Sequence, residues 1–321
     1  MLRWIRIVSL VGCVAGLSGL AGCLGGGDDS TPPPGNIVQV AQSNNLSALV
    51  AAATKAGLVA TLSDSKASLT VFAPTDAAFN TLATQLGYAD ANALVNALPA
   101  AALANILTYH VLPARKSGAD LVAGGASQAT AYTFGGTAAT LGVAVSSGSV
   151  TLTDAVLTSA KVTSADVPAS NGVVHVVDKV LIPPGVLNIV QMAQANPAFS
   201  TLVGAVVSAN LQTTLSGAGP FTVFAPTNDA FAAIASAVAA LSPSDLSKVL
   251  TYHVLASQVL AADIPFGTPV TTVEGETITI NAGTPPTITD KTSTPAPIVA
   301  TDVRASNGVI HVVSKVLIPT L

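Results

Sequence analysis

The sequence has little of the side-chain chemistry on which most enzymes and redox proteins depend. Its 321 residues include two Cys, four His, one Trp and two Glu, and charged residues make up only 9% of the chain. With 50% hydrophobic residues, this composition predicts folded domains rather than extended disorder, and the length allows one large or two ordinary domains. The net charge of −4 disfavours nucleic acid as a partner, because neutralising phosphates requires clustered Lys and Arg.

Sequence patterns that mark common catalytic centres are also missing. Beyond the first 22 residues there is no Gly-x-Ser-x-Gly elbow, no phosphate-binding glycine loop and no His-Glu-x-x-His. Glu274 and Glu276 lie two apart, which would place both carboxylates on one side of a strand as an acid–base pair. Gly275 between them instead predicts a solvated hairpin. We therefore assign no catalytic residue, cofactor or metal, and we expect a protein that is not an enzyme.

The N-terminal residues have the pattern of an export leader. Arg3 and Arg6 precede a short apolar stretch over residues 7–20, which predicts a secretory signal rather than a membrane span. The segment 20–23, Leu-Ala-Gly-Cys, resembles the lipobox of bacterial lipoproteins. That resemblance implies removal of residues 1–22 and lipid attachment to Cys23. In such lipoproteins an Asp directly after the Cys retains the protein in the inner membrane. Here that residue is Leu24, which favours the outer membrane. The alternative is an ordinary signal peptide whose Cys falls at the cleavage site by chance.

Processing at this site would change the composition of the exported chain. Arg3 and Arg6 would be lost, so the net charge would become −6, and no free thiol would remain for a disulfide or a Cys metal site. Residues 23–35 comprise the Cys and a stretch with GGG and PPP runs, which predict a tether without a core of its own. Each buried acyl methylene contributes about 0.8 kcal/mol, so we expect a stable membrane anchor.

The rest of the sequence contains the same motifs twice. Residues 36–42 recur at 188–194 and residues 69–79 at 221–231, residues 108–112 recur at 251–255, and residues 169–183 recur at 305–319. The offset falls from 152 to 143 and then to 136, which places a nine-residue and a seven-residue deletion in the second copy. A period of this size is that of a domain. We predict two tandem domains, 36–184 and 185–321, with the boundary near Pro183-Pro184-Gly185.

Within each copy, helical spacing comes first and strand alternation later, which predicts an α+β domain. Asp76 and Asn228 follow a short β run, and each is expected to cap the helix that begins there. Asn171-Gly172 and Asn307-Gly308 predict hairpin turns before the last strand of each copy.

Each copy resembles a fasciclin (FAS1) domain. The resemblance rests on a first box at residues 70–79 and 222–231, a Tyr-His pair at 109–110 and 252–253, and a second box at 171–181 and 307–317. It covers nearly all of residues 36–319. It implies that each domain is a β-wedge of two sheets with packed helices, and it implies a role in extracellular adhesion or matrix contact. The family offers no established catalytic centre.

The motifs supply the candidate structural or binding residues. They are Thr75, Asp76, Tyr109, His110 and His175 in the first copy and Thr227, Asn228, Tyr252, His253 and His311 in the second. Two repeated histidines per copy allow either a metal or proton-switch site or a pair of buried, hydrogen-bonded imidazoles. We favour the buried pair, because zinc needs three or four ligands and the only carboxylates that we find to recur are Asp120 with Asp263 and Asp166 with Asp302. The recurring Lys179 and Lys315 are expected to extend from a strand edge into solvent.

These observations predict an exported, lipid-anchored, non-catalytic adhesion or binding module of the cell envelope. We expect an outer-membrane lipoprotein, facing either the periplasm or the cell surface, that contacts the membrane through its N-terminal lipid. Its ligand would be a surface polysaccharide or an envelope or cell-surface protein. The alternative is a periplasmic scaffold or accessory protein that binds only envelope partners.

Overall fold

The structure is a computed structural model that describes residues 34–146 and 149–321. The expected leader, Cys23 and the tether up to residue 33 lie outside the described residues. Within the described residues no single helix is long and apolar enough to cross a membrane. The bent pair Ala91–Ala97 and Ala100–Tyr109, with 116° between its helices, meets the length and composition requirements only jointly.

The first copy begins with helices and ends with strands, as its sequence pattern predicts. Its helices are α1 (Ile37–Ser43), α2 (Ser47–Lys55), α3 (Val59–Leu62), α4 (Asp76–Gln85), α5 (Ala91–Ala97), α6 (Ala100–Tyr109) and α7 (Gly118–Ala123). Its strands are β1 (Leu69–Pro74), β2 (Val111–Leu112), β3 (Ser127–Phe134), β4 (Thr137–Ser146), β5 (Ser149–Thr153), β6 (Ser159–Ala169) and β7 (Gly172–Val177).

The second copy repeats this order, and some of its elements are shorter. Its helices are α8 (Ile189–Ala195), α9 (Ser200–Ser208), α10 (Gln212–Ser216), α11 (Asn228–Ala232), α12 (Ala235–Ala239) and α13 (Pro243–Tyr252), with 3-10 turns at Pro197–Phe199 and Ala261–Asp263. Its strands are β8 (Phe221–Pro226), β9 (Val254–Leu255), β10 (Pro269–Thr271), β11 (Thr277–Asn281), β12 (Thr287–Thr289), β13 (Ala296–Ala305) and β14 (Gly308–Val313). The nine-residue deletion shortens the helices before α13, and the seven-residue deletion shortens the strands β10 to β12.

Each copy forms one seven-stranded sheet. The strand order in the first is β2-β1-β7-β6-β5-β4-β3, and β10-β11-β12-β13-β14-β8-β9 in the second is the same order read from the other edge. The first strand pairs in parallel with the last, and the other neighbours are antiparallel. The long strand β6 pairs with β5 near its start and with β7 from Val162 onwards, with two register shifts within the β6–β7 pairing. The two sheets of the expected wedge therefore share β6 and are continuous.

The apolar core has three parts. Tyr109 belongs to a cluster enclosed by the first sheet, and Tyr252 belongs to the equivalent cluster of the second sheet. A third cluster fills the space between the helices and strands, and it runs through both copies without a break. Helix α4 of the first copy packs against α8 of the second within this cluster. The two domains thus have separate sheet cores and a shared helix-side core.

The chain segment between the copies is held from both sides. The Tyr132 hydroxyl donates to the Pro184 carbonyl at 3.0 Å, and the Gly185 N–H donates to the Arg304 carbonyl at 2.8 Å. The Arg304 guanidinium also lies over the Phe134 ring, 5.4 Å from its centroid. These contacts fix the second copy against the first.

The predicted hairpins are present, but their glycines serve packing rather than the turn. Ser170 and Asn171 connect β6 to β7, and Gly172 is already the first residue of β7, opposite Leu69. A Cβ on Gly172 would lie 2.2 Å from the Leu69 carbonyl oxygen, so no larger residue fits between these strands. Gly308 stands equally close to Phe221.

Candidate functional site

The three repeated motifs meet at the first strand of each copy. Strand β1 lies between β2, which follows the Tyr-His pair, and β7, which belongs to the second box. The Phe72 N–H donates to the His110 carbonyl at 2.9 Å, and the Phe72 ring stacks on His175 with 5.7 Å between centroids. Phe224, His253 and His311 repeat this arrangement in the second copy. Both histidines of a copy therefore contact one phenylalanine of the first box.

His110 uses both ring nitrogens to bind the main chain. It is buried at the end of α6, its Nδ1 is 2.7 Å from the Ile106 carbonyl, and its Nε2 accepts from the Leu181 N–H at 2.9 Å. A carbonyl cannot donate, so Nδ1 carries the proton and the ring is neutral. Burial lowers the pKa of His110 to about 4, which keeps this state over a wide pH range.

His253 makes the same two contacts in the second copy. Its Nδ1 lies 2.7 Å from the Val249 carbonyl, and its Nε2 accepts from Leu317 at 2.8 Å. Burial lowers the pKa of His253 to about 4. His110 and His253 are therefore equivalent structural residues that join the end of a helix to the end of the second box.

His175 and His311 carry their proton on the other nitrogen. His175 Nε2 donates to the Lys116 carbonyl at 3.0 Å, and Nδ1 accepts from the Asp166 N–H at 3.2 Å. His311 makes equivalent bonds with Val259 and Asp302. Burial lowers the pKa of His311. Asp166 and Asp302, two of the recurring carboxylates, thus contact the histidines through main-chain N–H groups rather than through their side chains.

The four imidazoles do not assemble a metal centre in the part of the chain that the structure describes. No group of three or more His, Cys, Asp or Glu side chains comes close enough there to hold an ion. Each ring nitrogen has a main-chain partner instead, as the buried-histidine interpretation expects.

The tyrosine of each Tyr-His pair joins the end of the same helix to the sheet core. Tyr109 is fully buried in the sheet core, and its hydroxyl donates to the Thr140 carbonyl at 2.9 Å. Tyr252 donates to Thr277 at 3.0 Å. Burial raises the pKa of both phenols, that of Tyr252 to about 12. Tyrosine and histidine of one pair therefore connect a single helix end to two different layers.

The predicted helix caps Asp76 and Asn228 are wrong in detail. Thr75 is the residue that caps α4, because its hydroxyl accepts from the Ala78 N–H at 3.1 Å. Thr227 caps α11 in the same way. The hydrogen bonds found among the described residues join neither threonine to a histidine, so the start of this helix and the histidine pair are separate features.

Asp76 caps a different helix from the one expected. Its carboxylate accepts from the Ala48 N–H at 2.8 Å and from the Ser47 hydroxyl, at the start of α2. That helix has no side-chain cap from its own N-terminal residue. Asn228 likewise accepts from the Thr201 N–H at the start of α9. A carboxylate and an amide both accept from an N–H, which explains why Asp can align with Asn here.

A further pair of recurring carboxylates, Asp154 and Asp290, escaped the sequence comparison. They lie 136 residues apart, the offset of the second box, which is the signal that identifies them. Asp290 is buried and forms an ion pair with Lys315 at 2.9 Å. Lys179 donates to Thr158, whose hydroxyl donates to Asp154 at 2.8 Å. The prediction that both lysines extend into solvent is wrong, because they close buried polar clusters.

The two clusters differ in their electrostatics. Burial raises the pKa of Asp154, and the nearby Lys179 ammonium only partly opposes this effect. Burial acts in the same direction on Asp290, but hydrogen bonds from Thr292, Lys315 and Ile318 outweigh it, so the Asp290 pKa lies below its ordinary value. Of these two clusters, as the structure describes them, only that of Asp290 includes a direct carboxylate–ammonium contact.

Side-chain amides and carboxylates elsewhere also hold the main chain. The buried Asn171 accepts from the Ile37 N–H at 2.9 Å and donates to the Leu62 and Asp64 carbonyls. Asn307 binds Ile189, Leu215 and Gly217 in the same way. Glu274 accepts from the Glu276 N–H at 3.0 Å across a turn in which Gly275 has φ +114°. The two glutamates thus form the expected hairpin turn.

A protein-family model and two known proteins match this sequence. The model of the fasciclin domain matches residues 44–183 and 197–319. Protein sll1483 of Synechocystis sp. is 44% identical over 140 residues, 42% of this chain and 75% of that protein. Transforming growth factor-beta-induced protein ig-h3 of Sus scrofa is 38% identical over 165 residues, 50% of this chain and 23% of that protein.

A solved structure also matches this chain, at low sequence identity. The FAS1 domain pair of the insect cell adhesion molecule Fasciclin I is 18% identical with a TM-score of 0.41, covering 88% of this chain and 95% of that one. The family model alone covers well over half of the sequence, in two successive matches that contain all three repeated motifs. The chain therefore belongs to the fasciclin domain family, with two fasciclin domains in tandem.

Proposed function

We propose that this chain is an exported, lipid-anchored protein of the cell envelope that acts as an adhesion or binding module and performs no catalysis. One observation supports the non-catalytic part of this proposal most directly. The four motif histidines are buried and have main-chain partners on both ring nitrogens, so these residues stabilise the fold. Recognition is then a property of the surface that the paired domains present, as expected of a family that includes a cell adhesion molecule.

The N-terminal sequence supplies the proposed attachment. Lipid on Cys23 holds the chain at the membrane, and the following residues to Gly35 extend at most about 40 Å, which lets the domains stand away from the lipid surface. Leu24 after the Cys favours the outer membrane. The partner is a surface polysaccharide or an envelope or cell-surface protein.

Replacement of Cys23 tests the anchor. Cys23→Ser should abolish incorporation of radiolabelled palmitate and release the protein from the membrane fraction. Cys13→Ser is the matched control, because Cys13 lies in the segment that cleavage removes, and its acylation should equal that of the wild type. Persistent acylation of Cys23→Ser, or an unprocessed N-terminus in mass spectrometry, contradicts the proposal.

Protease treatment of intact cells tests where the domains face. A cell-surface adhesion protein should be degraded, and cells lacking it should lose attachment to a surface or to each other. Degradation with no change in attachment contradicts adhesion. Protection from protease until the outer membrane is permeabilised supports the alternative, a periplasmic scaffold.

A further inference from the structure

An open groove lies where the two domains meet. It consists of two recesses of about 520 and 570 Å³ that share the Phe134 and Arg304 side chains. Phe134 ends strand β3 of the first domain and Arg304 lies on β13 of the second, so neither domain forms the groove alone. We call it the Phe134–Arg304 groove.

The Arg304 guanidinium is positioned but has no anionic partner. It lies over the Phe134 ring, 5.4 Å from the centroid, which restricts its orientation. Its Nε is buried without a hydrogen-bond partner, and none of the salt bridges within the described residues includes it. The guanidinium charge therefore has no compensating carboxylate among the described residues, and it can pair with an anionic group that enters either of the recesses that Arg304 lines.

The walls of the groove combine apolar and hydrogen-bonding residues. Gln258 and Ser306 are among the residues that line one recess, and Thr140 and Thr301 are among those that line the other. These four side chains make no hydrogen bond with any other described residue. They are therefore available to pair with hydroxyl groups of a ligand.

We propose that the Phe134–Arg304 groove binds an acidic saccharide, with the carboxylate of a uronic acid unit on Arg304 and the hydroxyls of neighbouring sugars in the two recesses. A guanidinium presents parallel N–H donors that match the two oxygens of a carboxylate. Since Arg304 lines both recesses, a ligand that contacts the arginine can extend into either of them. This inference rests on the proposed binding function and gives it a site and a ligand class.

A saccharide suits the groove better than an acidic peptide. Asp302 also lines the groove, and its negative charge disfavours a ligand with closely spaced carboxylates. A uronic acid polymer separates its charges by whole sugar rings. The acidic groups elsewhere on the protein matter less, because physiological salt screens exposed charges beyond about 8 Å.

Calorimetric titration of the full-length protein tests the site with an oligomer of galacturonic acid as the probe. The Arg304→Gln substitution should weaken binding at least about tenfold, because it removes the charge-assisted contact. Ala138→Trp should weaken binding similarly by filling one recess, since Ala138 is exposed on its wall and Arg304 stays in place. The controls are Arg115→Gln, at an exposed arginine that does not line the groove, and Ala131→Trp, on the neighbouring strand β3 outside it.

Each outcome of the titration decides the proposal. Loss of affinity in both groove variants with unchanged affinity in both controls supports it. No affinity for the probe, equal affinity in Ala138→Trp, or tighter binding of a glutamate oligopeptide than of the oligosaccharide overturns it. Cell attachment assays separate it from the proposed function: attachment that survives both groove variants overturns the groove and leaves adhesion standing. If the protein binds the probe but supports no attachment, the groove stands and the proposed adhesion function is overturned.

Discussion

The Nε2 of His110 accepts a hydrogen bond from the backbone N–H of Leu181 at 2.9 Å, while its Nδ1 lies 2.7 Å from the Ile106 carbonyl. One side chain thus pairs two buried main-chain groups that are far apart in the sequence. His110 is therefore a structural bridge between the end of α6 and the end of the second box. His253 forms the same bridge between Val249 and Leu317.

Removal of this bridge should destabilise the protein. His110→Ala leaves the Leu181 N–H and the Ile106 carbonyl without partners and opens a cavity, so the free energy of unfolding should fall by about 3 kcal/mol. His253→Ala should lose a similar amount. Urea unfolding followed by circular dichroism measures both. A loss below about 1 kcal/mol for either variant would mean that the histidine is not a structural residue.

The same histidines should make the protein sensitive to acid. Their pKa values in the folded protein are about 4, below the ordinary 6.5, so the unfolded chain binds more protons between these two values. Stability from His110 and His253 is therefore fully present above pH 6.5 and is lost as the pH falls towards 4. Each histidine contributes about 3 kcal/mol over this window.

Proton NMR of the imidazole rings tests this directly. The ring signals of His110 and His253 should stay at their neutral positions from pH 8 to about 5, below the range in which an ordinary histidine titrates. The unfolding free energy should decline between pH 6.5 and about 4, while the rings of the folded protein are still largely neutral, because the unfolded chain takes up protons first. A midpoint near 6.5 for either ring would contradict the burial and the tautomer assigned here.

The repeated residues allowed the fold to be predicted, and their offsets carried most of the information. The repeated motifs indicated two tandem copies, and the order of helical and strand patterns within each copy indicated an α+β domain. The deletions fall in the helices before α13 and in β10 to β12. The recurring Asp154 and Asp290 were missed although the offset aligns them, because they lie outside the recognised boxes. Only the structure shows that Lys179 and Lys315 turn inward to these carboxylates.

Two other features depend on contacts between residues far apart in the sequence, which local sequence does not determine. Thr75 and Asp76 are both good capping residues, and adjacent positions gave no basis to assign Thr75 to α4 and Asp76 to α2. The contact between Phe134 and Arg304 joins two positions that the repeat does not relate. A contact between domains leaves no periodic signal in either of them.

Strands β1 and β7 pack so closely at Gly172 that a larger residue there should destabilise the protein. The Gly172→Ala substitution places a methyl group 2.2 Å from the Leu69 carbonyl oxygen, so β1 and β7 must move apart and the protein should lose several kcal/mol or fail to fold. Gly204→Ala is the matched control. Nothing lies within 4 Å of its added methyl group, and its position in α9 predicts a gain of up to about 1 kcal/mol.

Thermal unfolding of the two glycine variants distinguishes packing from chain flexibility. If glycine at position 172 served only to relax the turn, both variants would be stabilised or little affected. Opposite shifts of the melting temperature are expected instead. Unchanged stability of Gly172→Ala would show that the two strands are farther apart than described here.

The buried ion pair of the second domain should be much stronger than the exposed one. Lys315→Met leaves the Asp290 carboxylate buried without its cation, which should cost about 3 kcal/mol at pH 7. Lys291→Met is the control, because its 3.9 Å contact with Glu276 is partly exposed and should be worth less than about 1 kcal/mol.

The pH dependence identifies the cause of this loss. Lys315 helps to hold the Asp290 pKa below its ordinary value, so the stability that the pair provides is present above that ordinary value and disappears as acid protonates the carboxylate. The difference between wild type and Lys315→Met should therefore be largest near neutral pH and should shrink in strong acid. A difference that is independent of pH would assign the loss to packing of the lysine stem, because only the charged pair responds to protonation of Asp290.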